Sequence, residues 1–194
     1  QGVEIFADRI AVNERTGGLR KIRVLPFTGG EGELLAADEP AYVMSPIGTA
    51  HLDSGKLRYS YTSLTTPPTV YELDFATGER TLLKREPVLG DFKPENYVTE
   101  YVFAPARDGA KVPVWLVYHK NTARDGSAPL FQQGYGSYGI SQDPSFRSSV
   151  VSLLDRGFVF AIAAVRGGQE MGRQWYEDGK LLKKKNSFND FIDV

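Results

Sequence analysis

The sequence predicts a mixed fold, with an all-β part through about residue 95 followed, over residues 96 to 194, by the opening of an α/β sheet. Three observations predict it. Residues 1 to 95 hold short alternating runs bounded by Gly, Thr and Pro turns, and their order repeats at an offset of 47 or 48 residues. Tyr97 to Ala104 and Lys111 to His119 flank an Asp108-Gly109 pair, which favours a hairpin. Pro129 to Val165 reads as strand, glycine-rich turn, helix and strand, a right-handed parallel crossover.

In the first part, Glu4 to Asn13 alternates, Thr16-Gly17-Gly18 turns, Arg20 to Phe27 carries Ile22, Val24 and Leu25, and Thr28-Gly29-Gly30 turns before Glu33-Leu34-Leu35. The order returns as Lys56 to Tyr61, a turn over Thr65 to Pro68, Thr69 to Phe75, a turn at Thr77-Gly78, and Arg80 to Lys84. Ile10 aligns with Leu57, Leu25 with Leu73, Phe27 with Phe75, and Leu34 and Leu35 with Leu82 and Leu83. A four-stranded unit recurring about every 40 to 50 residues is the pattern of β-propeller blades, because one blade cannot bury both faces without neighbours. Two blades close no ring. The part is therefore read as the last blades of a partial β-propeller, with a small meander or sandwich as the alternative.

Glu86 to Asn96, with Pro87, Gly90 and Pro94, lacks periodicity and reads as a linker between domains 1–95 and 96–194. After the hairpin and a polar loop over Asn121 to Ala128, Leu130 to Gln133 is a short strand. Gly134, Gly136 and Gly139 then permit a tight turn. Ser145 to Arg156 places Val150, Val151, Leu153 and Leu154 on one helical face, and Gly157 supplies a left-handed stop. Phe158 to Val165 has no polar residue, as in a strand covered on both faces of a parallel sheet. The turn after the first strand lies at the carboxyl edge of that sheet, where ligands collect. Arg166 to Gly172 is a second glycine-rich turn. Ser187 and Asp190 form a capping-box-like start to a helix carrying Phe188, Phe191, Ile192 and Val194. An antiparallel hairpin followed by crossovers is how an α/β-hydrolase sheet begins.

Composition narrows the chemistry. A hydrophobic content of 41% supports a core in 194 residues. The longest apolar run is too short to span a membrane, and no leader-like segment opens the chain, so no membrane partner is expected. Without Cys there is neither disulfide nor thiolate metal site, and no His/Asp/Glu cluster has ligand spacing, so no metal is expected. A formal charge of -1 gives no field for nucleic acid. Lys180, Lys183, Lys184 and Lys185 read as a solvated face beside Glu177 and Asp178. Gly-x-Ser-x-Gly occurs nowhere, and the only histidines are His51 and His119, so the chain shows no paired nucleophile and base.

Gln133-Gly134-Tyr135-Gly136-Ser137-Tyr138-Gly139, Leu153-Leu154-Asp155-Arg156-Gly157-Phe158-Val159, Val165-Arg166-Gly167-Gly168 and Trp175-Tyr176-Glu177-Asp178-Gly179-Lys180 resemble the oligopeptidase B branch of the prolyl oligopeptidase family of serine peptidases. The resemblance implies a propeller capping an α/β-hydrolase domain, cleavage after Arg or Lys in short basic peptides, no cofactor and a cytoplasmic setting. It implies that Tyr135 donates to the oxyanion of the tetrahedral intermediate. It also makes Asp143 the first of two acids that bind a basic substrate residue, with Ser145 standing at the second position. Arg166 and Glu170 are expected to be structural ion-pairing residues. The Ser, Asp and His of the triad match positions beyond Val194, so the chain alone is expected to be inactive, and to self-associate through a sheet edge left bare at Phe158 to Val165. The alternatives are a non-catalytic peptide-binding or assembly module, and a family hydrolase acting on dipeptidyl or acylaminoacyl peptides or an ester.

Overall fold

The computed structural model describes residues 2–48 and 51–194. Its first sheet comprises β1 (Val3–Ile5), β2 (Arg9–Thr16), β3 (Leu19–Pro26), β4 (Glu33–Leu34), β5 (Tyr42–Pro46), β6 (Lys56–Ser63), β7 (Thr69–Asp74) and β8 (Arg80–Arg85). β1 to β4 and β5 to β8 are two antiparallel meanders, joined where β3 runs parallel to β5 at Arg20 and Val43. Ile10 lies opposite Leu25 in the first meander and Leu57 opposite Leu73 in the second. The 47- and 48-residue offsets therefore repeat strand pairing as well as composition.

Alternation decides which side of each strand is buried. Leu57, Tyr59, Tyr61 and Ser63 of β6 point into the core with Ala11, Ile22 and Met44, while the intervening residues of β6 are more exposed. Tyr42, Tyr59, Tyr61 and Tyr71 stack or meet edge-on there, 5.7 to 6.3 Å between ring centres. The copies diverge at their margins. Phe75 meets Phe6 edge-on at 4.9 Å beneath the Arg9 guanidinium, whereas its counterpart Phe27 is exposed.

The chain crosses residues 86–93 without a regular element and makes a 3-10 turn at Pro94–Asn96. The second sheet holds β9 (Tyr97–Pro105), β10 (Lys111–His119), β11 (Leu130–Gly134) and β12 (Val159–Ala163) in the order β11-β12-β10-β9. β9 and β10 form the expected hairpin, paired from Pro105 with Lys111 to Tyr97 with His119. Helix α1 (Ser148–Leu154) connects β11 to β12, burying Val150 and Leu154. It stops at Gly157, whose φ is +84°, with the Phe158 amide returning to the Leu153 carbonyl. α1 starts three residues later than its periodicity predicts. Arg147 is extended, and the segment before it is held elsewhere: the Phe146 amide donates to Thr62 Oγ1 of the first sheet, and its ring meets Phe92 at 5.2 Å.

Two expectations are corrected. The sheet does not end on residues 158–165: β12 is parallel to β11 but antiparallel to β10, so it lies inside a mixed sheet whose edges are β11 and β9. The apolar run takes the inner place because Phe160 to Ala163 are fully covered, while Leu130 and Phe131 of β11 stay half-exposed. Beyond α2 (Arg173–Glu177) and a 3-10 turn at Leu181–Lys183, helix α3 runs Lys185–Asp193 and begins before Ser187. Ser187 therefore caps nothing. Its buried hydroxyl donates to the Arg166 carbonyl across the domain. Among the described residues no helix is long and apolar enough to cross a membrane.

Candidate active site

β11 and β12 end side by side, and each opens into a glycine-rich loop at its carboxyl end. Tyr135 is the first residue past β11 and is 47% exposed. Gly136 behind it has φ +63°, and a Cβ there would lie 2.5 Å from Val165 Cγ2 and 2.9 Å from the Arg166 carbonyl. Gly167, at φ +99°, would drive a Cβ into the Gly136 carbonyl. Only glycine allows this backbone-to-backbone approach, and the Gly139 amide closes it by donating to the Gly167 carbonyl at 2.9 Å. Tyr135 is thus an open phenol on a turn with little room to shift.

The second loop is anchored from beneath. Arg166 points Nε and Nη2 at the carboxylate of Asp190 in α3, at 2.9 and 2.5 Å, and Nη1 at Asp108 of the β9–β10 turn, at 2.6 Å. The Arg166 amide also donates to Asp190 Oδ2 at 2.9 Å, and Asp190 is fully buried. The two carboxylates hold Arg166 above the ordinary guanidinium range, and Arg166 holds Asp108 below the usual carboxylate range. The ion pairing expected of Arg166 is present.

Glu170 departs from it. Its carboxyl is 2% exposed, Oε1 accepts the Gln142 amide at 2.7 Å, and Oε2 has no hydrogen-bond partner among the described residues. Burial pushes its acid up from the ordinary 4.5, and the Gln142 amide opposes this. A glutamic acid with a raised folded pKa binds a proton that the unfolded chain has released, so its stabilising contribution is complete below pH 4.5 and falls as pH rises through the folded value. Glu170→Gln removes that slope. Urea denaturation across pH is expected to show the variant gaining on the parent protein as pH rises; parallel curves would place the carboxyl in a solvated environment.

Asp143 lies in the loop following Tyr135, tied to β11 by a 3.2 Å bond from Gln133 to Gln142. Its two oxygens meet Arg15 Nη2 at 2.8 Å and Arg20 Nε at 3.1 Å. Arg15 and Arg20 are direct cross-strand partners at the tip of the β2–β3 hairpin, an opposition of like charges that the carboxylate relieves. The same tip docks on the second sheet, where the Tyr101 hydroxyl donates to the Gly17 carbonyl at 2.6 Å.

The lysine cluster splits. Lys180 pairs with Glu177 and Lys183 with Asp178 at the surface, as expected of a solvated face. Lys184 turns inward: its ammonium donates to the Gly136 carbonyl, to Ser137 Oγ at 2.7 Å and to Ser187 Oγ at 3.3 Å. Nothing in a run of three lysines marks the middle one; its direction is set by the 3-10 turn that starts at Leu181 with φ +47°. Neither histidine joins the site. His119 accepts the Asn121 amide and meets Tyr97 edge-on, and His51 is exposed.

Two family profiles match the chain. The one described as the prolyl oligopeptidase N-terminal beta-propeller domain covers residues 1–86, and the one described as the prolyl oligopeptidase family covers residues 144–194. The chain is similar over its full length to dipeptidyl aminopeptidase BI of Pseudoxanthomonas mexicana, with 53% identity across 27% of that protein. It is also similar to protease 2 of Moraxella lacunata, with 41% identity over 96% of this chain and 27% of the relative. Oligopeptidase B from Trypanosoma brucei, solved with antipain covalently bound, superposes with a TM-score of 0.86 and 38% identity, covering all of this chain and 28% of its own. The chain thus spans about 27% of the length of these curated relatives. With the propeller profile over the first sheet and the family profile following it over α1, β12 and the helices beyond, the chain belongs to the prolyl oligopeptidase family and joins part of its β-propeller to the start of its α/β-hydrolase domain.

Proposed function

We propose that this chain is part of an oligopeptidase B-like serine endopeptidase that hydrolyses short peptides after Arg or Lys, and that Tyr135 donates to the oxyanion. The observation that carries the reading is an exposed phenol on an immobilised glycine turn at the carboxyl edge of the sheet. A donor held in place before charge develops costs no reorganisation when it does. The similarity to protease 2 and to an oligopeptidase B supports the substrate class. Asp143 is the carboxylate proposed to receive a second basic residue, which would reach it by exchange with Arg20, the more exposed of its two partners.

A second reading, release of dipeptides from a free amino terminus, is favoured by the 53% identity to a dipeptidyl aminopeptidase. One assay on the complete gene product separates the two, using an N-terminally blocked tripeptide ending in an Arg chromophore against the free dipeptide ending in the same group. Cleavage of the blocked peptide is expected. Turnover confined to the free dipeptide would replace the first reading by the second. The 194-residue chain alone is expected to cleave neither, because it holds no Gly-x-Ser-x-Gly nucleophile elbow and neither of its histidines joins the site.

A further inference from the structure

Lys184 is the feature that no function assigned so far uses. An ammonium group has three donors, and here all three are spent on one small region: the Gly136 carbonyl, Ser137 Oγ and Ser187 Oγ. Among the described residues it forms no ion pair with a carboxylate, unlike Lys180 and Lys183 nearby. Surface lysines keep their heads in water, since withdrawing a charge from solvent is costly unless something specific compensates. Burial also lowers the Lys184 pKa, with no carboxylate to restore it.

The compensating groups belong to the turn that carries Tyr135. The Gly136 carbonyl lies one residue beyond it and Ser137 two residues beyond. Ser187 reinforces the same point, its hydroxyl lying within 3.3 Å of both the Gly136 and Gly179 carbonyls and bonded to that of Arg166. The chain reaches this position through Leu181, a non-glycine residue at φ +47°, a conformation that costs energy and persists only when its surroundings enforce it.

We infer that Lys184 is a positioning residue: its ammonium cross-links the Gly136–Ser137 turn to the start of α3 and so fixes the direction of the Tyr135 hydroxyl. The inference rests on the proposed oxyanion role of Tyr135. Small displacements of such a group have large kinetic effects, on the order of 100-fold for about 1 Å.

The test is a double-mutant cycle in the complete gene product, with kcat and KM measured on the blocked Arg peptide for the parent, Tyr135→Phe, Lys184→Met and the double variant. Lys184→Met is expected to lower kcat by about tenfold or more with KM little changed. In the Tyr135→Phe background it is expected to lower kcat no further, because the hydroxyl it aims is gone. A general loss of packing would instead multiply with the Tyr135 effect, and that result, or an unchanged kcat in Lys184→Met, overturns the inference while leaving the Tyr135 reading in place. An unchanged kcat in Tyr135→Phe itself removes that reading, and this inference with it. If Lys184→Met does not fold, Ser137→Ala removes one of the three acceptors; a smaller fall in kcat that vanishes without the Tyr135 hydroxyl is expected, and a multiplying or absent effect overturns the inference.

Discussion

On the proposed reading, Tyr135→Phe in the complete gene product lowers kcat on an Arg-ended peptide by about 100- to 1000-fold and changes KM little. The loss of one oxyanion donor corresponds to about 2.7 to 4 kcal/mol of transition-state stabilisation. The split between kcat and KM follows from when the bond is made. A phenol aimed at the place where negative charge appears contributes little to the bound ground state and most of its effect at the tetrahedral intermediate. Phenylalanine keeps the ring and its packing, and half of that ring is in solvent. Steady-state kinetics on the purified variant checks the expectation, and equal small changes in kcat and KM would reassign Tyr135 to packing the turn.

The second large effect concerns stability. Arg166→Met leaves Asp190, fully buried, with a backbone amide as its remaining partner from residue 166. Removing one member of a buried pair costs about 3 to 5 kcal/mol, because an uncompensated charge stays behind. Arg166→Met/Asp190→Leu removes both charges and is expected to recover most of that loss. Chemical denaturation of the complete gene product and both variants measures this, and a loss below about 1 kcal/mol in Arg166→Met would put the pair in the class of surface ion pairs.

The sequence carried more of the fold than of the site. Strand pairing in the first sheet was legible because cross-strand partners such as Leu57 and Leu73 are both apolar and recur at a fixed offset in Ile10 and Leu25. The stop of α1 was legible because Gly157 must take a left-handed conformation. The order of the second sheet was not: an apolar run states that β12 is covered, not which neighbours cover it, and the antiparallel pairing with β10 is a long-range choice. Ser187 was misplaced for a related reason. Its spacing to Asp190 satisfies a local capping pattern, but both side chains are drawn to Arg166 on another loop. Glu170 and Arg166 look alike in a glycine-rich turn, and only tertiary packing gives one two carboxylates and the other a lone amide. Tyr135 could be singled out by its flanking glycines, and its exposure agrees with a group left free for a ligand.

The close approach of Gly136 and Gly167 has a consequence for tolerance to sequence change. Neither residue bears a functional group, yet any side chain at either position must push the two loops apart or overlap a carbonyl. Ser137, which does bear one, could lose its hydroxyl and leave that approach intact. Saturation mutagenesis of this segment would accordingly find its least permissive positions where the side chain is absent, so that the footprint of the site in a tolerance map is drawn by two hydrogens before any hydroxyl appears in it.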